Sequence, residues 1–277
     1  AIAHGVTQID TARAYGESEA VLNEALRGAW RSRTSVITKL DTLESVAHDA
    51  EAEVVQTAVD RSIAESCQAL GTKFLPVLLL HRSHHRTDWN GTAWKRLLEL
   101  KAKGSIGVLG VSVYDPGEAL AALLDPDVQH LQIPMNILDW RWKANKVDRA
   151  IASRPDVVVH ARSAFLQGLL LHSWELWPRV DYDASACVDK LKNLAHSFKR
   201  ENVADLCVAY LRSQKWITSI VIGCETSAQL QQNLELFRKA KLTSDQCDEL
   251  ENSLPKATEA LLNPSKWKVN HAQLATR

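Results

Sequence analysis

The stretch PVLLLHR (76–82) decides the fold. Its apolar run, Val77 to Leu80, has no polar alternation, so both of its faces must be covered, as in a strand of a parallel sheet. The run stops on an imidazole, His81. A parallel α/β barrel gathers its chemistry at the C-terminal strand ends. Outward from this stretch the pattern repeats. SVITKL (35–40) is a short apolar strand that delivers Lys39, and IDTARAYGESE (9–19) begins at a strand end with Asp10 and carries Tyr15 in the following loop. A carboxylate, a phenol, an ammonium and an imidazole at neighbouring strand ends form a proton-donating set.

Strands and helices alternate along the rest of the chain. Strands are expected at 7–10, 35–38, 75–80, 107–112, 130–133, 157–160 and 219–222. Apolar residues at three and four spacing predict helices at 17–27, 54–70, 94–103, 118–124, 147–153, 187–200, 203–213, 227–239 and 244–261. Nothing rich in Gly, Ser or Pro divides the chain, so residues 1–277 are expected to be one domain. The fold class is α/β, a TIM-type (β/α)8 barrel. Seven strands are visible where a closed barrel needs eight, so either the first strand is expected to precede Ala1, in a chain truncated at its N-terminus, or another element closes the barrel.

Bulk properties exclude several classes. Basic and acidic residues balance at 33 each, which gives no general affinity for nucleic acid or anionic lipid. No apolar run is long enough to span a bilayer. The five cysteines (Cys67, Cys187, Cys207, Cys224, Cys247) are isolated and odd in number, which suits reduced thiols in the cytoplasm better than a disulfide scaffold or a zinc site. No metal is expected. HRSHHR (81–86) has three imidazoles but no carboxylate partner at a typical ligand spacing. GSIGVLG (104–110) leads into a strand instead of opening a helix after one, so it is not a dinucleotide fingerprint.

Several motifs together resemble the aldo-keto reductase family: Ile9–Glu19, Thr38–Lys39, Leu78–Arg82, Gly110–Ser112, Gln132, ARSAFLQGLL (161–170) and VIGCETSAQLQQNL (221–234). The resemblance implies a (β/α)8 barrel that transfers hydride between a nicotinamide cofactor, NADPH by default with NAD as a possibility, and an aldehyde, ketone or aldose. It implies Tyr15 as proton donor, with Asp10, Lys39 and His81 as its partners. Chemistry supports those roles. A free phenol titrates near ~10, too high for easy donation at neutral pH, and an adjacent ammonium lowers that value. Asp10 can neutralise Lys39, which is otherwise costly to bury, and His81 can hydrogen-bond the carbonyl oxygen. Taken singly, each of the four also reads as an ordinary capping, packing or solvated residue.

For the cofactor, the resemblance implies Ser112 and Gln132 at the nicotinamide carboxamide, with Val113 where the family has an Asn and Asn136 as a substitute amide. It implies Arg162 and Ser163 where the family stacks an aromatic ring, and Gly223, Thr226, Gln229 and Asn233 at the adenosine end. Selective NADP binders carry a Lys and an Arg there, in place of Gly223 and Gln229, so phosphate selectivity is expected to be weak. Substrate contacts are expected from loops 82–93, 136–146 and 164–183 and the tail from Asn263, with Trp89, Trp140, Phe165 and Trp174 lining an apolar or sugar-stacking pocket beside Trp142 and Trp177. The partner is a small carbonyl or sugar, not nucleic acid or membrane, and the oligomeric state is open. The main reading is a carbonyl reductase. Its rival is a non-catalytic, cofactor-binding regulatory or interaction module on the same barrel.

Overall fold

In the computed structural model, which describes residues 1–267, the stretch at 75–80 is a strand with the predicted ends. Seven strands occur in the described chain: β1 (Gln8–Asp10), β2 (Ser35–Lys39), β3 (Leu75–Leu80), β4 (Ile106–Ser112), β5 (His130–Pro134), β6 (Val158–Arg162) and β7 (Ser219–Ile220). The chain forms two compact units. The first holds Ala1–Ile133 and Ala150–Val159, and the second holds Pro134–Arg149 and the chain from His160 onward.

In the first unit β1 to β5 lie in sequence order, and each neighbouring pair is parallel. Asp10 faces Ile37, Lys39 faces Leu79, Leu79 faces Gly110 and Ser112 faces Gln132. This register brings the ends of the strands level, so the residues that finish them share one edge. The cause is the apolar content of β3, whose Leu75, Val77, Leu78, Leu79 and Leu80 are all buried. Ile37, Val77 and Leu79 pack as one cluster with Val108 against them. Parallel strands need crossovers of a dozen or more residues. The helices Ser18–Ala25, Ala52–Ala69, Asp88–Ala102 and Pro116–Leu123 provide them.

Gly110 shows how tightly β4 and β5 approach. A Cβ there would sit 2.0 Å from the His130 carbonyl oxygen. Gly110→Ala is therefore expected to destabilise the chain by ~1–3 kcal/mol or more through overpacking. The check is a lowered urea midpoint with an unchanged m-value.

In the second unit His160 and Ala161 of β6 pair in parallel with Ser219 and Ile220 of β7. Its helices start on side-chain caps. Asp183 accepts from the Ala186 N–H, Asn202 from Asp205, and Thr243 forms a capping box with Gln246.

The structure corrects several boundaries. The helix expected at 244–261 is two, Ser244–Ser253 and Glu259–Leu262, because Pro255 stands in the gap and cannot continue a helix. β7 ends at Ile220, two residues before the predicted end. The helix expected from 94 begins at Asp88, but Trp89, Asn90 and Gly91 in its first turn have left-handed backbone (φ 50°, 55° and 75°). Among the described residues, no helix is long and apolar enough to cross a membrane.

Candidate active site

All four proton-donating candidates lie in the first unit. Lys39 closes β2, and its side chain is 1% exposed. A lone ammonium at that depth is strongly unfavourable, and two acceptors hold it. Nζ donates to Asp10 Oδ1 at 2.6 Å and to the Thr11 carbonyl at 2.9 Å. Both acceptors come from the end of β1, which the register places beside β2. The Lys39 Nζ also stands 5.4 Å from the Tyr15 ring centroid. His81, one residue past β3, meets the same ring edge-on with centroids 5.8 Å apart. The imidazole, the phenol and the ammonium thus converge, with the carboxylate behind the ammonium. Tyr15 is 52% exposed, the open member of the set.

The loop that carries Tyr15 is closed by contacts the sequence reading missed. Thr11 and Ser18 join their hydroxyls at 2.7 Å across it. Gly16, with φ 59°, takes the left-handed backbone of the turn next to Tyr15. Glu19, 1% exposed, bonds Arg13 at 2.5 Å through one oxygen and the Thr38 hydroxyl at 2.7 Å through the other. The residue beside Lys39 is therefore tied to the loop that presents the phenol. A carboxylate on the buried side of an otherwise apolar helix face was the available signal.

Gln132 has a second partner in view. Its Nε2 donates to Asp10 Oδ2 at 2.7 Å, so the carboxylate is held from both sides, and the Gln132 amide keeps Oε1 and its second N–H for further contacts. Ser112, at the end of β4 and paired with Gln132, is 3% exposed. A hydroxyl that donates and accepts, on a strand paired with one that carries an amide, offers the groups that one edge of a carboxamide requires. Val113 is fully buried and donates its backbone N–H to the Gln132 carbonyl at 2.9 Å. It adds no side-chain polar atom.

The remaining cofactor candidates lie in the second unit. Asn136, the expected substitute amide, uses Oδ1 to accept the Leu138 N–H at 3.0 Å. Arg162 ends β6, half-buried, and Ser163 follows with φ 62°. Gly223 lies in the loop after β7, where a Cβ would meet open space. Thr226 caps the helix Ser227–Arg238 by accepting the Gln229 N–H. The Gln229 side chain accepts the Glu225 N–H at 2.7 Å, and Asn233 Nδ2 donates to Cys224 Sγ at 3.2 Å. These two side chains hold the 223–226 loop to its helix. Between Gly223 and Asn233 there is no cation, and Glu225 is the one charged residue.

The expected substrate aromatics divide. Trp89, half-buried in the first unit, donates its indole N–H to the Ala47 carbonyl. In the second unit Trp140 and Trp174 are 39% and 46% exposed, and Phe165 is half-buried. Trp142 and Trp177 do not belong with them. Trp142 is fully buried and bonded to Asp139, and Trp177 is buried and stacked on Tyr182, so both are packing residues. Of the C-terminal tail, Asn263 caps the turn Pro264–Lys266, and the part from 268 onward lies outside the described residues. A cavity of about 680 Å³ in the second unit, lined by Leu170, Val188, Leu191 and Arg200 among others, contains none of the candidate residues.

Comparison with known proteins gives one consistent result. The family model described as Aldo/keto reductase family matches residues 1–254. Two curated relatives, an aldo-keto reductase of Mycobacterium sp. (strain KMS) and one of Mycobacterium sp. (strain JLS), are 32% and 31% identical over 126 residues. Each match covers 45% of this chain and 42% of the relative, so it spans less than half of their length. Among solved structures, the holo form of an aldo-keto reductase from Bacillus halodurans superposes with a TM-score of 0.74 at 20% identity, over 95% of this chain and 87% of that one. An aldo/keto reductase from Klebsiella pneumoniae, solved with NADP and acetate, gives 0.68 at 22% identity over 94% and 85%. Likeness at this identity shows the fold, which is the α/β TIM-barrel fold of those proteins.

Proposed function

This chain belongs to the aldo/keto reductase family, and from that premise we propose that it is an NAD(P)H-dependent oxidoreductase that reduces a small aldehyde, ketone or aldose, with Tyr15 as proton donor. One observation carries the reading: the ammonium of Lys39, buried and paired with Asp10, stands 5.4 Å from the Tyr15 ring centroid. When bound, the dinucleotide supplies the hydride for the carbonyl carbon. The chain's own residues do the rest. Tyr15 gives its hydroxyl proton to the oxygen as negative charge develops there. Lys39 favours the phenolate left behind, Asp10 holds Lys39 in place, and His81 orients the carbonyl.

Ser112 and the Oε1 of Gln132 would hold the carboxamide, and the helix at Ser227–Arg238 would receive phosphate with Gly223, Thr226, Gln229 and Asn233 about it. NADPH is the expected cofactor, with selectivity over NADH small because the segment lacks a cation. Trp89, Trp140, Phe165 and Trp174 are assigned to the substrate. We read residues 1–277 as one reductase domain acting in the cytoplasm, where five free cysteines stay reduced. Arg162 replaces the ring expected on the nicotinamide, and a guanidinium disfavours the cationic oxidised form. Arg162→Tyr is expected to raise affinity for NADP⁺ relative to NADPH. An unchanged ratio of the two dissociation constants would remove that role from Arg162.

A second reading, a cofactor-binding module without turnover, draws on Val113, which removes one amide from the cofactor edge. The experiment that separates them follows NADPH consumption with 4-nitrobenzaldehyde, pyridoxal and xylose. Turnover of any one supports the reductase. Cofactor binding with no turnover of any supports the module.

A further inference from the structure

We propose that His84, His85 and Asp88 form a binding site for a zinc-class divalent ion. The 3-10 turn Ser83–Arg86 and the start of the helix Asp88–Ala102 set the three side chains together. One ligand atom from each lies within 4.8 Å of the others. The carboxylate absent from HRSHHR is thus provided by Asp88, four residues beyond His84. Its Oδ2 is already 2.7 Å from His84 Nδ1, and the two imidazoles meet edge-on at 4.7 Å.

His85 is the observation that points to a ligand. It is 3% exposed, yet its Nδ1 is buried with no hydrogen-bond partner among the described residues. Buried polar atoms are nearly always satisfied, so an imidazole buried with a bare nitrogen, within ligand reach of His84 and Asp88, points to a missing partner. Access is open from the other side, since the His84 and Asp88 side chains are 54% and 28% exposed. The neighbouring cations are engaged elsewhere. Arg82 pairs with Glu44 at 2.7 Å and Arg86 with Asp125 at 3.3 Å. Two imidazole nitrogens and a carboxylate oxygen suit Zn²⁺, Co²⁺, Ni²⁺ or Cu²⁺ better than Mg²⁺ or Ca²⁺, which prefer oxygen-only sites. Three protein ligands leave at least one position to water or another small donor. The ion would fasten the 83–86 turn to the helix behind it.

The test uses the whole chain after EDTA treatment, titrated with Zn²⁺ by calorimetry and with Co²⁺ by visible absorption. Wild type is expected to bind one equivalent of each and to show a Co²⁺ d–d band. His84→Ala and Asp88→Asn, both at exposed or part-exposed positions, are expected to lose at least ~10-fold in affinity, with thermal melts recorded to verify folding. His48→Ala and His196→Ala, which alter exposed imidazoles elsewhere, should bind as wild type does. Failure of wild type to bind either ion would overturn the site. So would equal affinity in the His84 and Asp88 variants, which would assign the ion to other surface groups.

Discussion

Tyr15→Phe is expected to lower kcat for carbonyl reduction by ~10²–10⁴-fold, the usual contribution of a positioned general acid, while NADPH affinity stays at the wild-type value. The variant isolates one atom. Phenylalanine keeps the ring against His81 and beside Lys39, the contacts at 5.8 and 5.4 Å. Tyr15 is 52% exposed, so its hydroxyl contributes little to folding and the melt should be unchanged, within the ~0.5 kcal/mol usual for surface changes. Steady-state rates with fluorescence titration of the cofactor check both halves. Wild-type kcat in the variant would transfer the proton to another donor, such as water ordered by His81.

Asp10→Ala should have the largest effect on stability. It removes the carboxylate from an ammonium that is 1% exposed, and it takes from the Gln132 Nε2 the acceptor at 2.7 Å as well. Stripping one partner from a buried ion pair costs ~3–5 kcal/mol. The lower half of that range applies, because the Asp10 side chain is itself 13% exposed. Lys39→Met is expected to cost less. Asp10 then keeps Gln132 and reaches water, whereas Lys39 without Asp10 is a buried ammonium that has lost its carboxylate. The double variant should recover much of the loss, since no unpaired charge remains. Urea unfolding of all three decides it. Equal losses below ~1 kcal/mol in both single variants, the range of exposed pairs, would mean that the pair is solvated in practice. Both single variants should also lose activity, because each disturbs the charge beside Tyr15.

Much of the fold was legible because its signals are local. β3 has its predicted ends because Leu75–Leu80 is apolar throughout, a pattern only a strand covered on both faces requires. The strand end at Asp10 has its predicted place, and β2 runs one residue past the expected end at 38 to take in Lys39. What escaped depends on distant or backbone causes. Gln132 meets Asp10 across 122 residues of sequence, and no local pattern announces that pairing. Glu19 sits on the helix after the loop, but its partners Arg13 and Thr38 are known only from the register. The left-handed run at Trp89, Asn90 and Gly91 has no local signature, since just one of the three is a glycine. One loss was avoidable: Pro255 was visible inside the helix expected at 244–261. Trp142 and Trp177 were placed by loop position, which says nothing of depth, and both turned inward.

The claim on which the account rests is that this chain transfers hydride to a carbonyl carbon. NADPH deuterated at C4 of the nicotinamide, incubated with the protein and 4-nitrobenzaldehyde, tests it most directly by mass spectrometry of the alcohol. The account predicts deuterium on the former carbonyl carbon, formed with wild type and reduced to a trace with Tyr15→Phe. Cofactor that binds and stays unconsumed, with no labelled alcohol from this or any carbonyl of the panel, would contradict it.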